Sequence, residues 1–136
     1  MREGCRTIVL DASVGVKWFR LEVGSEAARE LRTRHIEGDV LIAVDTLFCY
    51  EVLGATARER DAAAAERIWR DLESLGLAVV PLGEELVAAA AAARARYGCS
   101  LYDSFSAGLA EILDVPLYSA DARAHGAIER VVLIGE

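Results

Sequence analysis

Four acidic residues stand beside or inside apolar segments of this sequence, where an ionised carboxylate is costly unless something offsets its charge. They are Asp11 after the run 7–10, Glu51 within the stretch 47–53, Asp103 after Leu101-Tyr102, and Asp121 after the segment 115–120. A shared divalent cation would offset all four charges at once, and sites rich in carboxylate oxygen suit Mg²⁺ or Mn²⁺. Clustered in this way without a cation, the four acids would repel each other, which predicts a raised pKa for at least one of them.

The elements that must position these acids alternate between strand and helix patterns. Short apolar runs rich in β-branched residues predict strands at 7–10, 40–44, 77–80, 116–119 and 131–134. Helices are predicted after Ser13 as a cap, at 26–35, from a cap at Asp45 or Thr46 to about Arg60, between Asp61 and Gly76, at 84–97 and at 102–113. Small residues in the last of these predict close helix packing. The alternation predicts an α/β fold with a parallel sheet and helices on both faces.

This arrangement gives the four acids a route into one pocket. Ligands of open parallel sheets bind outside the carboxyl ends of the strands. Asp11 directly follows the first predicted strand and Asp121 follows the fourth, so both belong at that edge of the sheet. Asp103 lies at the start of a helix, and Glu51 lies one to two turns into another.

Composition limits the class of protein. The chain has 136 residues, 54% of them apolar, which is typical of one folded domain over 1–136. A net charge of −7 argues against a loose, sequence-independent grip on nucleic acid, although it leaves room for a local basic rim. Cys5, Cys49 and Cys99 form no CxxC pair, so they indicate neither a zinc site nor a disulfide framework. We therefore expect a cytoplasmic protein with no membrane segment.

Five segments, taken in order, resemble the PIN-domain ribonucleases, and most of all the VapC-type toxins of toxin–antitoxin pairs. They are Ile8-Val9-Leu10-Asp11-Ala12-Ser13, Val16-Lys17-Trp18-Phe19, Tyr50-Glu51-Val52, Leu101-Tyr102-Asp103-Ser104 and Leu117-Tyr118-Ser119-Ala120-Asp121. The resemblance covers essentially the whole chain. It departs from the family pattern at Ser104, where alanine is common, and at 122–125, where a larger residue often follows.

The resemblance implies a fold, an activity and partners. The fold would be a PIN-like three-layer sandwich, with a central parallel sheet flanked by helices on both faces. Asp11, Glu51, Asp103 and Asp121 would form the metal site for Mg²⁺ or Mn²⁺, with Ser13 and Ser119 in support. The activity would be hydrolysis of RNA to a 5′-phosphate and a 3′-hydroxyl. The partners would be a second copy of the chain and a small antitoxin with a DNA-binding domain.

Less specific interpretations of the same residues remain open. Asp11 and Asp103 could simply cap helices, and Arg58 could pair with Glu51. Asp11 could be the nucleophile of an aspartyl-phosphate enzyme, although Ser13 stands where a second Asp would be expected. A third alternative is an inactive or metal-binding PIN fold that acts only as a protein-interaction module.

The histidines and several aromatic residues are assigned expected locations at the surface, in the core or at an interface. His35 and His125 are expected at the surface, and Trp18, Trp69 and Tyr102 in the core or at an interface. We expect the helices around Trp18-Phe19 and Leu31, together with the Ile68/Trp69 face, to offer apolar surface for a partner helix. A basic residue of that partner would reach the four carboxylates.

Overall fold

A parallel sheet of five strands forms the centre of the computed structural model, which describes residues 4–58 and 60–135. The strands are β1 Arg6–Leu10, β2 Val40–Asp45, β3 Ala78–Val80, β4 Leu117–Ser119 and β5 Val131–Leu133. Their order is β3-β2-β1-β4-β5, so β1 is the central strand. Ile8 lies opposite Ile42 of β2, and Val9 lies opposite Leu117 of β4. The predicted α/β class with a parallel sheet is confirmed.

Among the described residues, the first six helices lie close to their predicted positions, and a seventh short helix after β4 was not predicted. The helices are α1 Ala12–Gly15, α2 Ser25–Ile36, α3 Thr46–Ala57, α4 Ala64–Ser74, α5 Glu84–Tyr97, α6 Leu101–Leu113 and α7 Ala122–His125, with a 3-10 turn at Val16–Trp18. The prediction of Ser13 as the first cap was wrong, because Asp11 caps α1 and accepts a hydrogen bond from the Ser13 N–H. Asp45 is the cap of α3. Within the described part of the chain, every helix is too short or too polar to cross a membrane.

Both faces of the sheet are covered, as the alternating side chains of β1 show. Ile8 and Leu10 point into a core shared with α1 to α4, while Val9 points into a second core shared with α5 and α6. Successive side chains of a strand point to opposite faces, so a strand that is apolar throughout requires cover on both sides. The three-layer sandwich is therefore confirmed.

The expected apolar partner surface is mostly core. Trp18, Leu31 and Ile68 are buried, and the Trp18 indole N–H donates to the Ala28 carbonyl oxygen at 2.8 Å. These side chains belong to the core that also contains Ile8 and Ile42 of the sheet, so the prediction that they form a partner surface was wrong. Of this group Trp69 stays accessible, with 40% of its surface exposed.

Both histidines join elements instead of lying free at the surface. His35 is partly buried, with Nε2 2.7 Å from the Leu75 carbonyl oxygen and Nδ1 accepting from the Ile42 N–H at 3.1 Å. It thereby links α2, β2 and the end of α4. His125 is fully buried. The prediction of two surface histidines was wrong, because an imidazole can satisfy two buried backbone or hydroxyl groups at once.

Close packing of α5 against α6 makes Gly108 a sensitive position. A Cβ at Gly108 would lie 2.7 Å from the backbone nitrogen of Ala90. Gly108→Ala should therefore lower the free energy of unfolding by about 1–3 kcal/mol, since helix backbone cannot yield as a side chain can. Urea denaturation measures this change.

Gly54 provides the control, because it lies inside α3 and a Cβ there meets nothing within 4 Å. Gly54→Ala should raise stability by about 0.5–1 kcal/mol through the better helix propensity of alanine. Equal stability of the two variants would contradict the close approach of α5 and α6.

Candidate acidic active site

A groove of about 380 Å³ at the carboxyl edge of the sheet brings together all four predicted acids. Asp11 directly follows β1, and Asp121 lies two residues beyond β4. Asp103 belongs to the first turn of α6, and Glu51 to the second turn of α3. The groove is also lined by Ala12, Ser13, Val16, Gly54, Ala55 and Arg58. Residues separated by up to 110 positions thus share one concave surface.

Asp11 is the most tightly held of the four acids. One carboxylate oxygen accepts from the Ser13 N–H at 3.0 Å, and the other accepts from the Ser106 hydroxyl at 3.1 Å. The capping interpretation of Asp11 is therefore correct, yet it does not exclude a second role. Each carboxylate oxygen has two lone pairs, so a capping carboxylate retains acceptor capacity toward the groove.

Asp121 and Asp103 differ in their local roles. Asp121 caps α7 and accepts from the Ala124 N–H at 3.1 Å. The capping interpretation of Asp103 was wrong, because Ser100 caps α6 by accepting from the Asp103 N–H at 3.1 Å. In the described residues, the Asp103 carboxylate makes neither a hydrogen bond nor an ion pair. The Asp103 carboxylate is therefore not the cap of α6, although it lies in the first turn of that helix.

The surroundings of Glu51 in the groove destabilise the ionised form of its carboxyl. Loss of solvent around the carboxyl, followed by the charges of Asp11, Asp45 and Asp103, raises the pKa of Glu51 to about 7. The expected raised pKa is thus found. Arg58 lines the same groove, but no ion pair joins it to Glu51 in the part of the chain that the structure describes. The pairing considered for Glu51 and Arg58 was therefore wrong.

Three further residues of this region were not identified as site residues from the sequence. Asp45 was noted only as a cap; it is buried, and burial together with the Asp11 charge raises its pKa. Ser106 lies one helical turn after Asp103, a spacing that could have placed both on one face of α6. His125 carried no usable signal, because its partners lie on other elements.

The raised pKa of Glu51 predicts how the metal-free protein responds to pH. The folded state binds this proton more tightly than the unfolded state, whose pKa has the ordinary value of 4.5. The free energy of unfolding should therefore fall as pH rises from about 4.5 through about 7. Glu51→Gln removes this loss and should be more stable than the parent at about pH 8, by about 1 kcal/mol after allowance for solvent screening.

Urea unfolding of EDTA-treated protein between about pH 5 and pH 8 measures the effect. Glu73→Gln is the control, since it removes an exposed carboxylate of α4 outside the groove. It should leave the decline of stability between about pH 5 and pH 7 in place. The same decline in Glu51→Gln would show that another group titrates.

The donor set of the groove suits a hard divalent cation. It consists of carboxylate oxygens, and the Glu51 and Asp103 carboxylates have no hydrogen-bond or ion-pair partner among the described residues. Mg²⁺ and Mn²⁺ prefer such oxygen ligands. As the side chains stand, no group of three or more described His, Cys, Asp or Glu residues is arranged to hold a metal ion. Binding would therefore require the acidic side chains of the groove to move closer together.

Comparisons with known proteins agree with this fold. The sequence pattern of the PIN domain matches residues 8–130. A toxin–antitoxin complex from Klebsiella pneumoniae has a similar chain, with 17% identity, a TM-score of 0.71, and coverage of 92% of this chain and 95% of that one. No curated protein matches the sequence.

Two further solved structures are similar over nearly their whole length. VapBC2 from Rickettsia felis, bound to a DNA fragment from its promoter, has 12% identity and a TM-score of 0.72, covering 93% of this chain and 96% of that one. FitAcB from Neisseria gonorrhoeae has 18% identity and a TM-score of 0.67 with the same coverage. At these identities the likeness concerns the fold alone.

Proposed function

This chain belongs to the PIN-domain family, and we propose that it is a divalent-metal-dependent endoribonuclease that acts as the toxin of a toxin–antitoxin pair. The observation that carries the proposal is the convergence of Asp11, Glu51, Asp103 and Asp121 on one groove. PIN-domain toxins are nucleases, which supports hydrolysis of a phosphodiester bond. Such an enzyme would act in the cytoplasm, where its RNA substrates are.

In this proposal the four acids hold Mg²⁺ or Mn²⁺. When bound, such an ion polarises the scissile phosphate and lowers the pKa of a coordinated water. Asp11 is kept in place by its hydrogen bonds from Ser13 and Ser106, so it presents a fixed oxygen to the groove. In-line attack by water on the phosphate leaves a 5′-phosphate and a 3′-hydroxyl.

Two arginines near the acids suit the phosphates of a bound strand. Arg58 lines the acidic groove, and Arg123 lines an adjoining cavity together with Cys99, Asp103, Asp121 and Ala124. A guanidinium forms bidentate hydrogen bonds to phosphate oxygens. This local basic rim offsets the net charge of −7 at the place where RNA would bind.

An antitoxin is the proposed protein partner, as in the complexes of the similar structures. Exposed Leu21 and Val23 replace the buried residues first expected at this surface. The segment before them is tied to the rim of the groove, because the Arg20 guanidinium donates to the Ala55 carbonyl oxygen. A helix seated on Leu21 and Val23 could therefore extend a basic side chain to the carboxylates.

A second copy of the chain is the other proposed partner. An apolar groove of about 360 Å³ lies beside the acids and includes exposed Tyr50, Leu82 and Tyr102. Exposed apolar patches of this kind mark association surfaces.

Leu82→Glu should shift a dimer to monomer in light scattering. Leu21→Glu, a matched change outside this groove, should leave the dimer intact, and a parent monomer would contradict the assignment.

The test of the proposed function is cleavage of end-labelled RNA by the purified chain, with Mn²⁺ and with EDTA. We expect products with 5′-phosphate and 3′-hydroxyl ends in Mn²⁺ and none in EDTA. Mn²⁺ binding without cleavage would favour the interaction-module alternative. A phosphorylated Asp11 would favour the aspartyl-phosphate alternative. Relief of toxicity by a co-expressed neighbouring small protein tests the toxin assignment.

A further inference from the structure

His125 is a fully buried polar residue that has no direct role as a ligand in the proposed four-carboxylate metal site. Its Nε2 lies 2.8 Å from the backbone carbonyl oxygen of Asp103, and its Nδ1 lies 2.7 Å from the Ser119 hydroxyl. Nε2 is also 4.0 Å from a carboxylate oxygen of Asp11. The ring therefore contacts β4 through Ser119 and α6 through Asp103, and it lies near Asp11, the cap of α1.

The partners of the ring assign the direction of each hydrogen bond. A carbonyl oxygen can only accept, so Nε2 carries a hydrogen and donates to Asp103. In the neutral ring Nδ1 then accepts from the Ser119 hydroxyl. The Ser119 oxygen in turn accepts from the Asp121 N–H at 3.0 Å. This chain of hydrogen bonds joins the backbone of Asp103 to the backbone of Asp121 through one imidazole.

The same network reaches the first acid. The Ser13 hydroxyl lies 3.5 Å from the Ser119 hydroxyl and accepts from the Ala120 N–H at 2.9 Å. Ser13 also donates its N–H to the Asp11 carboxylate. Ser13 and Ser119, both expected to support the acids, are thus connected to each other and to His125. The network fixes backbone positions and leaves the Asp103 carboxylate free to turn.

We propose that His125 is a positioning residue that holds Asp103 and Asp121 at a fixed separation and so sets the affinity of the groove for a divalent cation. The proposal rests on the proposed metal-dependent function. Residues behind the direct ligands of a metal orient those ligands, and their loss commonly weakens binding by about 10–100-fold. His125 does not bond a carboxylate of the groove directly. It bonds the backbone carbonyl of Asp103 and the hydroxyl of Ser119, which in turn accepts from the Asp121 N–H.

The experiment measures Mn²⁺ affinity of the RNA-free protein by the EPR signal of unbound Mn²⁺. His125→Leu removes both hydrogen bonds and should weaken binding by about 10-fold or more. His125→Gln can place an amide N–H near the Asp103 carbonyl and should recover part of the affinity. His125→Asn can accept from Ser119 but is too short to reach Asp103, so it should bind Mn²⁺ more weakly than the glutamine variant.

His35→Leu is the matched control, because His35 also joins two partners but lies outside the acidic groove. It should lower the melting temperature and leave Mn²⁺ affinity unchanged. Unchanged affinity in a folded His125→Leu protein would overturn the proposal. Where that variant does not fold, equal affinities of the glutamine variant, the asparagine variant and the parent would overturn it. Failure of the parent itself to bind Mn²⁺ would instead reject the metal-dependent function and His125's role with it.

Discussion

Asp103→Asn should reduce RNA cleavage at saturating Mn²⁺ by about 100-fold or more while leaving the fold intact. The substitution preserves the shape of the side chain but removes a negative oxygen from the groove. Asp103 caps no helix, and its carboxylate has no hydrogen bond to lose among the described residues. The loss of activity would therefore report on the chemistry of the groove and not on the stability of α6.

Asp114→Asn is the matched control at the other end of the same helix. Asp114 is exposed, caps the carboxyl end of α6 with a φ of 55°, and pairs with Arg130 at 2.9 Å. Asparagine tolerates this backbone conformation, and loss of a surface ion pair costs at most about 1 kcal/mol. This control should cleave RNA at the parent rate. Parent activity in Asp103→Asn as well would exclude Asp103 from the metal site.

The groove could be predicted because its acids occupy positions that parallel topology dictates. Asp11 and Asp121 follow strands that end at the same edge of the sheet, so their proximity required only the correct strand assignment. Glu51 and Asp103 reach the groove from α3 and α6, whose bounds were predicted to within a few residues. Local patterns were sufficient here because Asp11, Asp103 and Asp121 lie at or near the ends of elements, and Glu51 lies on a helix whose start was predicted at Asp45 or Thr46.

Features that depend on what covers a surface could not be predicted in the same way. The apolar faces that carry Leu31 and Ile68 have the same helical spacing whether they cover a sheet or a partner. Their burial follows from β1, which is apolar on both faces and requires two layers of helices. His125 presents the same difficulty, since its two partners become neighbours only when α6, β4 and α7 are assembled.

Capping and metal binding are compatible roles for Asp11 and Asp121, and this compatibility allows a clean test. Each caps a short helix through one backbone N–H, a bond that asparagine can also accept. The combined variant Asp11→Asn and Asp121→Asn should therefore keep both caps while removing two charges from the groove. An effect of this variant on metal binding would not be a consequence of lost helix caps.

Mn²⁺ should raise the melting temperature of the parent, and this double variant should lose the increase. Binding to the folded state alone stabilises it by about 2.7 kcal/mol when the free ion is at 100 times its dissociation constant, or several degrees for a chain of this size. The increase should be smaller at about pH 6 than at pH 8, because the ion must displace a proton from Glu51, whose pKa is about 7. Differential scanning fluorimetry measures both effects.

The control is Asp71→Asn combined with Asp114→Asn, which changes two exposed acids outside the groove and should retain the full increase. An equal increase in all three proteins would place the ion elsewhere, since only the first pair removes charge from the groove.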